Sequence, residues 1–112
     1  MNENKKYVII IEPKEEPYMK LWLPDYGLFE LQSLLGGNIE TAPTEREGLL
    51  LVVNEEGKNE KLPRNRKATG LLPHYMQRLD YIAGTAVLMK RGAEDLEPLS
   101  VLEAERILAA MK

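Results

Sequence analysis

The chain has no cysteine among its 112 residues and a single histidine, His74. The first absence removes disulfides, thiolate nucleophiles and cysteine-ligated metals, and is compatible with a reducing compartment. The second removes any multi-histidine metal site within one chain. Long apolar runs are missing too. The longest near the start is Tyr7–Ile11, flanked by Lys5, Lys6 and Glu12, too short for a signal-peptide core or a membrane span. The sequence therefore predicts a cytoplasmic protein with no membrane partner. There is no surplus of positive charge: a net charge of -3 argues against a duplex nucleic acid as partner. The same small value is far from the dense acidic surface that mimicry of DNA requires. Neither G-x-x-x-x-G-K-[ST] nor G-x-G-x-x-G occurs, so no phosphate cradle and no cofactor is expected. Internal repeats and low-complexity tracts are also absent.

What is present is an ordinary globular composition, 44% hydrophobic and 29% charged, in a length suited to one domain over residues 1–112. Tyr7-Val8-Ile9-Ile10-Ile11 is aromatic and β-branched and predicts a central strand buried on both faces. Met19–Leu23, between Pro17 and Pro24, predicts a second strand antiparallel to it. From Asp25 as N-cap, Leu28, Leu31, Leu34 and Leu35 repeat at helical spacing, and Gly36-Gly37 supplies the stop. Asn38–Ala42 and Gly48–Asn54 predict a hairpin whose acidic loop, around Glu45 and Glu47, faces solvent. Residues 55–80 read as a long polar connection with one short helical turn after Pro73, and such connections are usually functional or mobile. Ile82–Met89 predicts a central strand whose small residues Ala83, Gly84 and Ala86 admit a close neighbour. Ser100 and Glu103 form a capping box ahead of a helix with Val101, Ala104, Leu108 and Met111 on its apolar side. The expected class is α+β: a mixed sheet of about five strands with a leucine-rich helix and a C-terminal helix packed on it.

The most informative segment is Asn54–Lys67. Lys58, Lys61, Arg64, Arg66 and Lys67 face only Glu60 within ten residues, and the planar forks of Arg64 and Arg66 suit phosphate or carboxylate. The alternative is a solvated charge run with no specific partner. Leu62-Pro63 favours the first, because an apolar pair anchors such a loop to the core. Asn54, Asn65, Tyr81 and Thr85 complete the candidate ligand-binding set with Lys61, Arg64 and Arg66. Glu55 and Glu56 are adjacent in an extended segment, point to opposite faces and make a poor acid-base pair, so a turn is the better reading of Asn54–Gly57. His74 has no partner nucleophile by spacing, and neither Ser33 nor Ser100 sits in a nucleophile elbow. No catalytic residue is assigned; an enzyme, in minimal form a hydrolase with Glu56 or His74 as base, ranks third.

VIIIEP at Val8–Pro13, LLGGNIE at Leu34–Glu40, NEEGK at Asn54–Lys58, LPRNR at Leu62–Arg66 and DYIAGTAVL at Asp80–Leu88 follow one another in an order that resembles the domain of unknown function 3846 family. The departure lies in extra residues around Ala68–Arg78, which affects the geometry of the LPRNR loop. Members of that family are commonly encoded by phages, plasmids and integrative elements, so the resemblance implies a mobile-element accessory role and supplies no activity. Two functions follow. The first is a non-enzymatic, homo-oligomeric protein that binds an anionic small molecule, a nucleotide or nucleotide-derived signal, to counter host defence. The alternative is a protein-protein adaptor or inhibitor of a host factor, using the C-terminal helix or the strand around Trp22, with Tyr18 and Tyr26 nearby.

Overall fold

Alternation along five longer strands sets the architecture. A computed structural model describes residues 4–111. β1 (Lys6–Ile11), β2 (Tyr18–Trp22), β3 (Ile39–Pro43), β4 (Leu49–Asn54) and β7 (Ala86–Arg91) lie side by side in the order β2-β1-β7-β4-β3. All pairings are antiparallel, so the sheet is not mixed as the sequence predicts. The central strand is β7, and β1 lies one place in from the edge.

On one face Ile9 and Ile11 pack with Leu51, Val53 and Leu88. On the other, Val8 and Ile10 pack with Val52, Val87 and Met89. Because side chains alternate, apolar runs such as Val8–Ile11 supply both layers, and each such burial contributes about 1.5–3 kcal/mol. Helix α1 (Leu28–Leu35) covers the second face through Leu31 and Leu35. Its N-cap is Gly27 rather than Asp25, with no side-chain cap. Gly36, at φ 83°, ends it by donating its N–H to the Gln32 carbonyl, and Gly37 donates to the same oxygen. Trp22 is 7% exposed in this layer and meets Tyr26 edge-to-face at 5.1 Å, so it covers the core, while Tyr18 and Leu21 of the same strand stay exposed.

Helix α4 (Val101–Ala110) covers the first face with Ala104 and Ile107 buried. Both arms of the capping box are made: the Glu103 N–H donates to Ser100 Oγ at 3.1 Å, and the Ser100 N–H to Glu103 Oε1 at 2.8 Å. Two short strands have no signature in the sequence. β8 (Leu96–Glu97) pairs the end of β7, and β9 (Leu99–Ser100) pairs the start of β1. They fill the wedge where β1 and β7 part beyond the Ile9–Leu88 pair, and Pro98, which has no N–H to donate, sits between them.

Residues 55–80, predicted as a loose connection, carry β5 (Arg64–Asn65) and the short helices α2 (Arg66–Thr69) and α3 (His74–Gln77). The strand expected over Ile82–Met89 is broken at Gly84. Its first part, β6 (Ile82–Ala83), leaves the main sheet to pair β5.

Candidate functional site

Two buried asparagines hold the polar turn in place. Asn54 ends β4 and is 5% exposed; its Nδ2 donates to the Leu35 carbonyl at 3.1 Å and to Glu60 Oε1 at 3.2 Å. Its Oδ1 accepts the Glu56 N–H at 2.7 Å, the Asx geometry that starts a turn. Asn65 is completely buried. Its Nδ2 donates to the carbonyls of Ile11 (2.8 Å) and Gly84 (2.9 Å), and its Oδ1 caps α2 by accepting the Ala68 N–H at 3.0 Å. Both NH2 groups spend their donors inside the fold, so each asparagine positions its neighbours.

Between them the chain closes on itself. The Leu62 N–H donates to the Gly57 carbonyl at 2.9 Å, and the Gly84 N–H to the Pro63 carbonyl at 2.7 Å. Lys61 takes a left-handed backbone, φ 58°, alone among the described residues other than glycine. Leu62 packs over Gly84, where an added Cβ would lie 2.7 Å from Leu62 Cδ1. The expected apolar anchor is therefore only half realised: Leu62 is half-buried against Gly84, whereas Pro63 is exposed and holds the chain through its carbonyl alone.

Arg64 is exposed, and its guanidinium lies 3.9 Å from the centre of the Tyr81 ring. The Lys58 ammonium is 4.8 Å from the same ring and pairs with Asp80. That ammonium holds the Asp80 carboxyl below its ordinary pKa, helped by the Tyr81 N–H at 2.8 Å and opposed by partial burial. Lys67 pairs with Glu16 at 3.4 Å, tying α2 to the turn after β1. Arg66 is exposed, and Thr85 is half-buried where β7 begins. Among the described residues, Lys61, Arg64 and Arg66 have no carboxylate within ion-pair distance.

Beside this turn lies a cavity of about 360 Å³ between β3 and the segment from α3 to β6. Ala42, Val53, Leu72, Met76 and Ile82 give it an apolar floor; the charged Glu40, Glu55, Lys58 and Asp80 and the neutral Asn59 give it a polar rim. Of the predicted ligand residues, Asn54 and Tyr81 border it, and Lys61, Arg64, Asn65, Arg66 and Thr85 do not. The sequence reading missed this cavity because Glu40 and Asp80 are 40 residues apart. A usable signal was the alternation Glu40-Thr41-Ala42, which puts a carboxylate and a methyl on one face of a strand. His74 lies elsewhere: its N–H donates to Glu45 Oε1 at 3.0 Å, so Glu45 tethers the β3–β4 loop to α3 besides facing solvent.

Residues 5–111 match the sequence pattern of the family described as Domain of unknown function (DUF3846), and the chain belongs to that family. No curated protein and no solved structure matches it.

Proposed function

We propose that this protein is a non-enzymatic binding domain that takes an anionic small molecule on the exposed turn that carries Lys61, Arg64 and Arg66. The observation that carries the reading is the Arg64–Tyr81 stack on an anchored turn. A guanidinium lying on a ring keeps its in-plane N–H donors free, and these match two oxygens of a phosphate or carboxylate. That none of the three cations has a carboxylate partner among the described residues supports it, because a cation already paired must break that pair to bind a ligand. Tyr81 acts by holding Arg64. Asn65 acts by fixing the backbone between the two arginines, and Asn54 by fixing the start of the turn. The ligand class is a nucleotide or nucleotide-derived signal, and withdrawing such a signal would serve a mobile element against host defence.

The test is calorimetric titration of the protein with ATP and with inorganic pyrophosphate at low salt. Binding that weakens as salt rises and disappears in Arg64→Ala/Arg66→Ala supports the proposal. Binding unchanged in that variant, or no binding by either anion, removes it.

A further inference from the structure

The cavity beside β3 has the shape of a strand-addition groove. β3 is an edge strand: among the described residues it pairs only with β4. The Glu55 N–H donates to the Asn38 carbonyl at 2.9 Å, which marks that pair as hydrogen-bonded. By antiparallel alternation Glu40–Val53 and Ala42–Leu51 are also hydrogen-bonded pairs. The N–H and C=O of Ile39 and Thr41, and the C=O of Pro43, therefore point outward. Pro43 agrees with this register, since a strand proline belongs where its nitrogen faces away from the ladder.

This open edge runs along one wall of the cavity, and α3 stands opposite it through Met76. Tyr75 and Leu79, which flank Met76 in the chain, are 69% and 85% exposed. An extended segment laid beside β3 would direct alternate side chains over the floor of Ala42, Val53, Leu72 and Met76. The charge of the rim chooses which side chains. Lys58 and Asp80 neutralise each other, whereas Glu40 and Glu55 have no cationic partner among the described residues. A lysine or arginine satisfies both demands: its methylenes cover the apolar floor and its charged end reaches the carboxylates.

We propose that this groove binds an extended segment of a partner protein carrying Lys or Arg at alternate positions, by adding it to β3 as a further strand. This site uses none of Lys61, Arg64 or Arg66 and stands or falls apart from the anion reading.

The test is selection of displayed random octapeptides on the purified full chain, followed by fluorescence-anisotropy titration of the best synthetic peptide. Enriched peptides are expected to carry basic residues at alternate positions. Glu40→Gln/Glu55→Gln should weaken the selected peptide by about tenfold or more, as loss of charge-assisted contacts does. Thr41→Pro deletes one outward N–H, leaves the β4 ladder intact, and should weaken binding similarly with an unchanged circular dichroism spectrum. Arg64→Ala/Arg66→Ala should leave the affinity as it was. Absence of enrichment overturns the proposal, as do peptides without basic bias or binding indifferent to both variants. A dimer seen by sedimentation and dissolved by Thr41→Pro also overturns it, by making a second copy of this chain the occupant of the edge.

Discussion

Replacing Asn65 should unfold the candidate site rather than merely empty it. In Asn65→Ala three buried groups lose their partners: the carbonyls of Ile11 and Gly84 and the N–H of Ala68. Loss of a helix cap costs about 1 kcal/mol. Each orphaned carbonyl adds about 1 kcal/mol, the low end of the range, since a carbonyl keeps a second lone pair for another donor. The sum is about 3 kcal/mol, a large part of the stability of a small domain. For a chain of this size that lowers Tm by about 12 °C, readable by circular dichroism or calorimetry.

Asn65→Asp sharpens the argument, because it keeps the cap and the volume and reverses only the donor. A carboxylate oxygen would then face two carbonyl oxygens in a site without solvent. Burial and those dipoles raise the folded pKa of the new carboxyl above its unfolded value. Stability is then retained below the ordinary Asp range near pH ~4 and lost as pH rises through the raised folded value. At pH 7 Asn65→Asp should be less stable than Asn65→Ala, and at pH 4 the gap should close. A Tm for Asn65→Ala within about 3 °C of the parent, or an Asp variant indifferent to pH, would refute the positioning role.

Gly84→Ala should lower stability by about 1–3 kcal/mol, because φ 87° strains an L-residue and its Cβ meets Leu62 Cδ1. The same change made in Leu62→Ala should cost less, since only the backbone strain remains; equal costs in urea unfolding would exclude the clash. Glu103 has its pKa held below the ordinary 4.5, first by the Ser100 N–H and then by Lys90 at 3.0 Å. Its contribution is present above that value and lost as pH falls through the folded pKa, so Glu103→Gln, which retains the capping geometry, should flatten the acid limb of the stability curve and converge with the parent once pH has fallen below the folded pKa. Parallel acid limbs for the two proteins would contradict this.

The elements legible in the sequence were those whose signals are local. Val8–Ile11, the leucines ending at Gly36, the β3–β4 hairpin and the Ser100 cap each carry their pattern within a few residues, and each forms close to where it was expected. What escaped depends on partners distant in sequence. β8 and β9 exist because β1 and β7 part and leave ladder groups to satisfy. The break at Gly84 reflects Pro63 and Leu62, some twenty residues earlier, pressing on the chain. Asn65 reads locally as a polar loop residue, and only the carbonyl of Ile11, 54 positions away, makes it a core residue. The polar character of residues 55–67 therefore predicts looseness, whereas two asparagines turned inward tie the segment to the core.

Those ties lower the cost of binding at both sites. A loop that must be ordered on binding loses about 0.5–1.5 kcal/mol for each immobilised side chain, in addition to its backbone entropy. Here the turn is tied to the rest of the fold at Asn54, Leu62, Asn65 and Gly84, by hydrogen bonds from Asn54, Asn65 and Gly84 and by Leu62 packed on Gly84, which lowers that cost. Charge is sorted on the same frame. Arg64 lies against Tyr81, while Glu40 and Glu55, without a cationic partner among the described residues, stand on the rim of the cavity that Tyr81 also lines. A net charge of -3 conceals this separation, because the sum cannot tell an even mixture from two opposed patches. The sorting makes opposite demands of ligands at the two places, an anion at Arg64 and a cation at Glu40. Reversing charge at one should therefore leave the other intact, provided that Lys58 stays paired with Asp80 between them.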